Sequence, residues 1–241
     1  LKLAVISDIH GNREALEAVL EEAARRHADG YICLGDIVGY GADPGPCVER
    51  IRELPATVVL GNHDAAACGR ADIQNFNDYA RAALLWTKDR LDREARDYLA
   101  SLPLTRRVGN VTLVHSSLDS PDYWGYIISR EEAWRCFDHL DGPCCLIGHS
   151  HIPYHFRLGA DDLAGGPWRR LALENGLLYI INPGSVGQPR DGDTRASFAL
   201  ADLEEKTFEL IRVPYDIAAC QEKIIAAGLP KYLASRLGAG R

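Results

Sequence analysis

Strand-like and helix-like stretches alternate from the first residues onward, and that alternation confines the chain to an α/β architecture. Lys2 to Ser7 reads as a short, largely apolar strand, and Arg13 to Arg26 as a helix whose Leu16, Val19, Leu20 and Ala23 recur at helical spacing. Tyr31 to Leu34 predicts a second strand, Pro46 to Arg52 a short helix and Thr57 to Leu60 a third strand. Strands separated by helices pair in parallel through helical crossovers. Phe76 to Ser101 carries helical patterning, broken near Leu91 to Arg93. Beyond Arg106 the texture changes. Val111–Val114, Cys144–Ile147, Tyr154–Leu158, Arg170–Leu173, Leu177–Ile181, Ser197–Asp202 and Lys206–Val213 read as strands between Gly, Pro, Asp or Asn turns, which predicts a second, more antiparallel sheet. Asp216 to Ala227 and Lys231 to Leu237 predict closing helices. With no internal repeat or low-complexity linker, residues 1–241 read as one domain whose C-terminal helices begin at about residue 214.

Composition narrows what such a domain can do. Of the 241 residues, 46% are hydrophobic, enough for a sizeable core without disulfides or structural metal, so any metal here points to function. A net charge of −7 argues against a long nucleic acid as partner, yet a local cation can still draw a small anion. No apolar run approaches the ~18–20 residues that span a bilayer, and no basic leader opens the chain, so the expectation is no membrane partner and a cytoplasmic protein. The seven cysteines show no C-x-x-C pair and read as reduced thiols in or near the core. Oligomeric state leaves no trace in the sequence.

The chemistry clusters at strand ends. Past the first strand comes Asp8-Ile9-His10, past the second Gly35-Asp36, past the third Gly61-Asn62-His63-Asp64. His115 follows the Val111 strand, and Gly148-His149-Ser150-His151 follows the Cys144 strand. In open α/β sheets ligands bind at this carboxyl edge, so these blocks are expected to meet in space. Asp8, His10, Asp36, Asn62, His115, His149 and His151 supply oxygen and nitrogen donors without a thiolate, and seven are too many for one ion. They suit two divalent ions about 3.5–4 Å apart if one carboxylate bridges, as Asp36 can with its two oxygens. Two aspartates against two divalent ions leave a surplus of about +2 to bind hydroxide and a phosphate anion. A water bridging the ions becomes a nucleophile near neutral pH. His63, next to Asn62, is the imidazole placed to act as general acid or as a clamp on phosphate.

Taken in order, these five blocks resemble the calcineurin-like metallophosphoesterases. Asn182-Pro183-Gly184-Ser185-Val186-Gly187 looks like a loop of their small prokaryotic phosphodiesterase branch, which extends the match over most of the chain. The resemblance implies two stacked mixed β-sheets flanked by helices, an αββα sandwich. It implies one metal held by Asp8, His10, Asp36 and His151, and another by Asp36, Asn62, His115 and His149. One departure stands out. In the Ser/Thr protein phosphatases of the superfamily, the bridging aspartate is followed by an Asp that orients the catalytic His and an Arg that grips phosphate; here those positions are Gly39 and Tyr40. Protein phosphatase activity is therefore not expected, and His63 must be oriented otherwise.

Other residues carry plainer readings. Asn12 is expected to cap the first helix, and Asp64 to cap the helix or fix the loop around it. Tyr40, Tyr123, Trp124 and Tyr126 are candidates to wall the site and stack a nucleobase, against ordinary loop packing. Arg190 is a candidate phosphate contact against a surface role. The pairs Arg25-Arg26, Arg106-Arg107 and Arg169-Arg170 read as solvated faces, and His27, His139 and His155 as structural or surface residues. The expected function is a dinuclear metal-dependent phosphoesterase acting by a metal-bridging hydroxide, on diesters or monoesters of small nucleotide type. Its ions are drawn from Mn²⁺, Fe, Co²⁺, Ni²⁺ or Zn²⁺. The alternatives are a non-enzymatic scaffold on the same fold, like the retromer subunit that resembles these hydrolases, and metal-assisted hydrolysis of a non-phosphate ester or amide.

Overall fold

The computed structural model describes residues 1–160 and 162–241. Its first sheet has the order β3-β2-β1-β11-β12-β9, formed by Lys2–Ile6 (β1), Gly30–Cys33 (β2), Ala56–Val58 (β3), Arg170–Ala172 (β9), Ala196–Asp202 (β11) and Thr207–Val213 (β12). The second has the order β4-β5-β6-β10-β7-β8, formed by Thr105–Val108 (β4), Val111–Val114 (β5), Cys144–Leu146 (β6), Pro153–Leu158 (β7), Leu163–Gly166 (β8) and Leu178–Pro183 (β10). β1, β2 and β3 pair in parallel, as expected from their helical crossovers.

The later strands do not form a separate, more antiparallel sheet. β11 adds antiparallel to β1, with β12 and β9 beyond it, while β5, β6 and β10 run parallel in the other sheet. Both sheets are therefore mixed.

Strand alternation builds the layers. On β1, Leu3 and Val5 turn to the space between the sheets, where they meet Val111, Leu113, Leu146, Tyr179 and Ile181 of the opposite sheet. Ala4 and Ile6 turn outward to the helices Arg13–Arg25 (α1), Pro44–Glu53 (α2), Asn62–Cys68 (α3) and Arg93–Ser101 (α5). The outer face of the second sheet, through Cys145, Phe156 and Ile180, is covered by Arg130–Phe137 (α6). The result is an αββα sandwich. Asp78–Lys88 (α4), Ile217–Ala226 (α7) and Lys231–Ser235 (α8) pack together beside Tyr40. Each fully buried Leu, Ile or Phe contributes about 1.5–3 kcal/mol to this packing.

Several elements escape the sequence reading. β4 is an exposed edge strand carrying Arg106 and Arg107, joined to β5 through Gly109-Asn110, so its arginines face solvent as expected while its backbone pairs. α6 begins in a capping box in which Ser129 accepts from Glu132 N–H and Glu132 accepts from Ser129 N–H. α3 starts at Asn62 itself. Asn12 caps α1, accepting from Ala15 N–H at 3.0 Å. All seven cysteines are unpaired, six of them buried. No helix of the described residues is long and apolar enough to cross a membrane.

Candidate metal centre

The topology gathers the carboxyl ends of β1, β2 and β3 from one sheet and of β5 and β6 from the other at a common edge. All seven expected donors are buried there. Five of them, Asp8, His10, Asp36, His149 and His151, have φ between 52° and 67°. Non-glycine residues avoid this left-handed region, and each costs on the order of 1–3 kcal/mol unless its surroundings enforce it. A sharp turn straight off a strand end aims these side chains into the crevice.

The enforcing contacts come largely from the loop after β10. Ser185 Oγ donates to the Asp8 carbonyl at 2.8 Å, and the Val186 and Gly187 amides donate to the Ser7 and Asp8 carbonyls at 2.9 Å. Asn182 Nδ2 donates to the Gly148 carbonyl at 2.6 Å and the Ser150 hydroxyl at 3.1 Å. Asn182, Ser185 and Gln188 are positioning residues whose roles the sequence reading missed. The Asn182–Gly187 motif was visible, but its partners are backbone atoms.

Hydrogen bonds also set the imidazoles. His10 Nδ1 lies 3.0 Å from the Val38 carbonyl, His115 Nδ1 2.7 Å from that of Leu34 and His151 Nδ1 2.7 Å from that of Gln188. Each carbonyl holds a proton on Nδ1, which turns Nε2 into the crevice as the nitrogen free to take an ion, a bare lone pair wherever the ring is neutral. Yet His10 Nε2 and His151 Nε2 lie 3.1 Å apart, His115 Nε2 lies 3.1 Å from Asn62 Oδ1, and His149 Nε2 is buried without a partner. Converging lone pairs repel one another, and cations are what such a donor set accommodates. Asp8, His10 and His151 form one group able to hold an ion, Asp36, His115 and His149 another, and His10, Asp36 and His63 a third that shares a residue with each.

Asp36 stands between the groups. Its Oδ1 accepts from His63 N–H at 2.8 Å, which leaves Oδ2 facing His10 Nε2 at 3.6 Å and His115 Nε2 at 3.3 Å. One carboxylate oxygen, rather than both, thus lies between the two sets. A side chain at Gly61 would put its Cβ 2.2 Å from Asp36 Oδ1, so only glycine allows this approach.

The electrostatics follow from burial among opposite charges. Burial, followed by the Asp36 carboxylate, pushes Asp8 up to about 7 against the pull of His115. Burial also acts upward on Asp36, but the surrounding imidazoles, His115 foremost, outweigh it and hold its carboxyl far below the usual range. Burial lowers His10 and His151 strongly and His149 to about 3. On His115 burial is outweighed by Asp36 and Asp8, which raise it to about 9.

His63 lines the adjoining cleft, and burial, against the pull of Asp36, lowers it to about 4. Its Nδ1 is buried without a partner. Among the described residues no carboxylate hydrogen-bonds to its ring. Instead the ring is wedged among Tyr40, His10 and Phe76, with centroids at 4.5, 4.7 and 5.0 Å. Asp64 serves the loop, accepting from Val38 N–H at 3.1 Å and Gly61 N–H at 3.2 Å. Gly39 has φ +94°, and a Cβ there would lie 2.4 Å from His63 Nδ1. The position that carries Asp in the protein phosphatases has no room for a side chain here. Gly39→Ala is therefore expected to displace His63 and lower kcat by about tenfold or more, with metal content measured alongside to show that the ligands stay in place.

The cleft of about 770 Å³ is lined by Asn62, His63, His149 and His151, and also by Tyr40, Tyr123, Trp124, Tyr126 and Arg190. Tyr126 stacks on His149 at 4.1 Å, while Tyr123 is 82% exposed at the rim. Arg190 is half-buried, with Nη2 2.7 Å from Gln188 Oε1. His27, His139 and His155 take no part in the site.

A calcineurin-like phosphoesterase superfamily domain matches residues 1–206. The chain is 42% identical to a metallophosphoesterase from Sphaerobacter thermophilus, whose crystal structure superposes with a TM-score of 0.88 over 100% of this chain and 99% of that one. It is 41% identical to the uncharacterized protein MJ0912 of Methanocaldococcus jannaschii, covering 99% of this chain and 98% of that protein. The phosphodiesterase YfcE of Escherichia coli K12 is 22% identical over 84% of this chain and 88% of its own length. With five ordered blocks brought to one edge of an αββα sandwich, and the family's domain spanning most of its length, the chain belongs to the calcineurin-like phosphoesterase superfamily.

Proposed function

We propose that the protein hydrolyses phosphate esters, diesters foremost and of small nucleotide type, with two divalent ions held by Asp8, His10, Asp36 and His151 and by Asp36, Asn62, His115 and His149. The observation that carries this reading is the convergence of imidazole nitrogens on two ligand groups that share no residue, with Asp36 Oδ2 facing His10 of one and His115 of the other. When bound, the ions would acidify a water to a nucleophile and neutralise charge on the phosphoryl oxygens. The chain's own residues do the rest. His63, neutral in its buried pocket, donates a hydrogen bond to the leaving or a phosphoryl oxygen. Arg190 contributes a fixed positive charge at the cleft wall. Tyr123 and Trp124 offer aromatic faces to a base, and Tyr126 covers His149 and restricts water on that side. The absence of the Asp and Arg of protein phosphatases, and the YfcE relative, favour small esters over phosphoproteins. Cysteines left unpaired fit a reducing, cytoplasmic setting.

The test assays bis-p-nitrophenyl phosphate, p-nitrophenyl phosphate and a cyclic nucleotide with added Mn²⁺, before and after chelation. Metal-dependent diester turnover is expected. His63→Ala should lower kcat by about 10²-fold while elemental analysis finds both ions retained. No turnover with any of the candidate metals, together with tight binding to a protein partner, would replace the enzyme by the scaffold.

A further inference from the structure

Two guanidinium groups flank one ring at the edge of the metal centre. The Arg190 Cζ lies 5.8 Å and the Arg236 Cζ 5.9 Å from the centroid of Tyr40, whose ring packs in turn on His10 at 4.7 Å and His63 at 4.5 Å. Arg236 comes from the turn of 3-10 helix at Arg236–Ala239, beyond residues 1–206 that match the family domain. Among the described residues neither guanidinium pairs with a side-chain carboxylate. Arg190 donates to the Gln188 amide oxygen, and Arg236 Nε to the Arg241 carbonyl. Both are only partly exposed.

Two cations that share one ring, neither paired with a side-chain carboxylate, repel, and partial burial deprives them of the water that would screen them. Burial and then Arg190 weaken the charged form of Arg236. Arg236 Cζ also lies 5.3 Å from the centroid of Tyr232, yet cation–π contacts at such sites are worth about 0.5–1 kcal/mol each and do not neutralise two cations that share the Tyr40 ring. A bound anion would relieve the repulsion, and two planar forks suit the oxygens of a phosphate.

We infer that Arg190 and Arg236 form a second anion subsite that takes a further phosphate group of the substrate, one tyrosine ring away from the metal centre. The preferred substrates are then nucleotide-type esters or anhydrides with two or more phosphates, and Arg236 is a specificity-determining residue. This rests on the phosphoesterase reading for the placement of the first phosphate.

The experiment compares calorimetric binding of two non-hydrolysable probes to Mn²⁺-loaded protein: adenosine α,β-methylene diphosphate and an adenosine phosphonate carrying a single phosphorus. One added charge-assisted contact changes affinity on the order of tenfold, and the wild type should favour the diphosphate by at least that factor. In Arg236→Gln the ratio should fall to about twofold or less, and Arg236→Lys, which keeps the charge without the fork, should lie between. General damage would weaken both probes alike and leave the ratio intact. An unchanged ratio in Arg236→Gln, or no preference in the wild type, would overturn the subsite. Turnover of bis-p-nitrophenyl phosphate is followed in parallel. Its absence would refute the enzymatic reading while the affinity ratio still judges the arginine pair.

Discussion

Asp36→Asn is expected to empty both ion positions together and lower kcat/KM by about 10³-fold or more, beyond the 10²–10³ typical of losing one charge-stabilising donor. The reason is geometric. Oδ2 faces both His10 and His115, which belong to different ligand groups, at 3.6 and 3.3 Å, closer to each than Asp8 Oδ1 at 4.0 Å, while Oδ1 is tied to the first turn of α3 through His63 N–H. An asparagine keeps the size, but without the negative charge it binds a divalent ion weakly, and its amide group can turn an N–H toward imidazole lone pairs. Elemental analysis should find both ions depleted. Full retention of both would refute the shared role of Asp36. Asp8→Asn, by contrast, should deplete the Asp8, His10 and His151 group more than the other.

Chelation should abolish turnover and also lower the melting temperature. Each ion present at about a hundred times its dissociation constant stabilises the native state by about 2.7 kcal/mol, so two contribute about 5 kcal/mol. For a chain of this size each kcal/mol moves Tm by about 2–4 °C, which predicts a fall of about 10–20 °C, reversed on adding metal. The shift arises because the centre, once stripped of ions, crowds imidazole nitrogens, His10 Nε2 and His151 Nε2 3.1 Å apart, around two buried carboxylates. Proton release gives an independent check. In the ion-free protein Asp8 is pushed up to about 7 and His115 up to about 9, so at neutral pH part of the first and most of the second carry protons that a cation must displace. Affinity therefore rises with pH up to about 9. Calorimetry in two buffers of different ionisation enthalpy counts the protons released, and a count near zero at pH 7 would contradict both shifts.

The parts legible in the sequence were those written in side chains. Asp8, His10, Asp36, Asn62, His115, His149 and His151 could be gathered in advance because each lies within a few residues of the end of an apolar run, and strand ends share an edge. The parts that stayed hidden are written in backbone. The carbonyls of Val38, Leu34 and Gln188 that fix three imidazoles belong to residues whose side chains say nothing of that task. The left-handed turns at five donors could not be placed from sequence, since Asp and His enter that region more readily than most side chains but still far less often than glycine. β4 was concealed by Arg106 and Arg107, because an exposed edge strand lacks an apolar signal. α3 was concealed by its own chemistry: Asn62-His63-Asp64 reads as a ligand block, and three alanines behind it make a short helix without an amphipathic stripe. Arg236 could not be linked to Arg190 from sequence, for only the packing of α7 and α8 beside Tyr40 brings it there.

The donors hang from both layers, with Asp8, His10, Asp36 and Asn62 following strands of one sheet and His115, His149 and His151 following strands of the other. A centre loaded with the two ions proposed would thus act as a pair of rivets through the sandwich. The layers could not part until the rivets were drawn, so the rate of ion escape would set a floor under the lifetime of the native state. Longevity in this enzyme would then be governed by the metal supply of its surroundings as much as by the packing of its core.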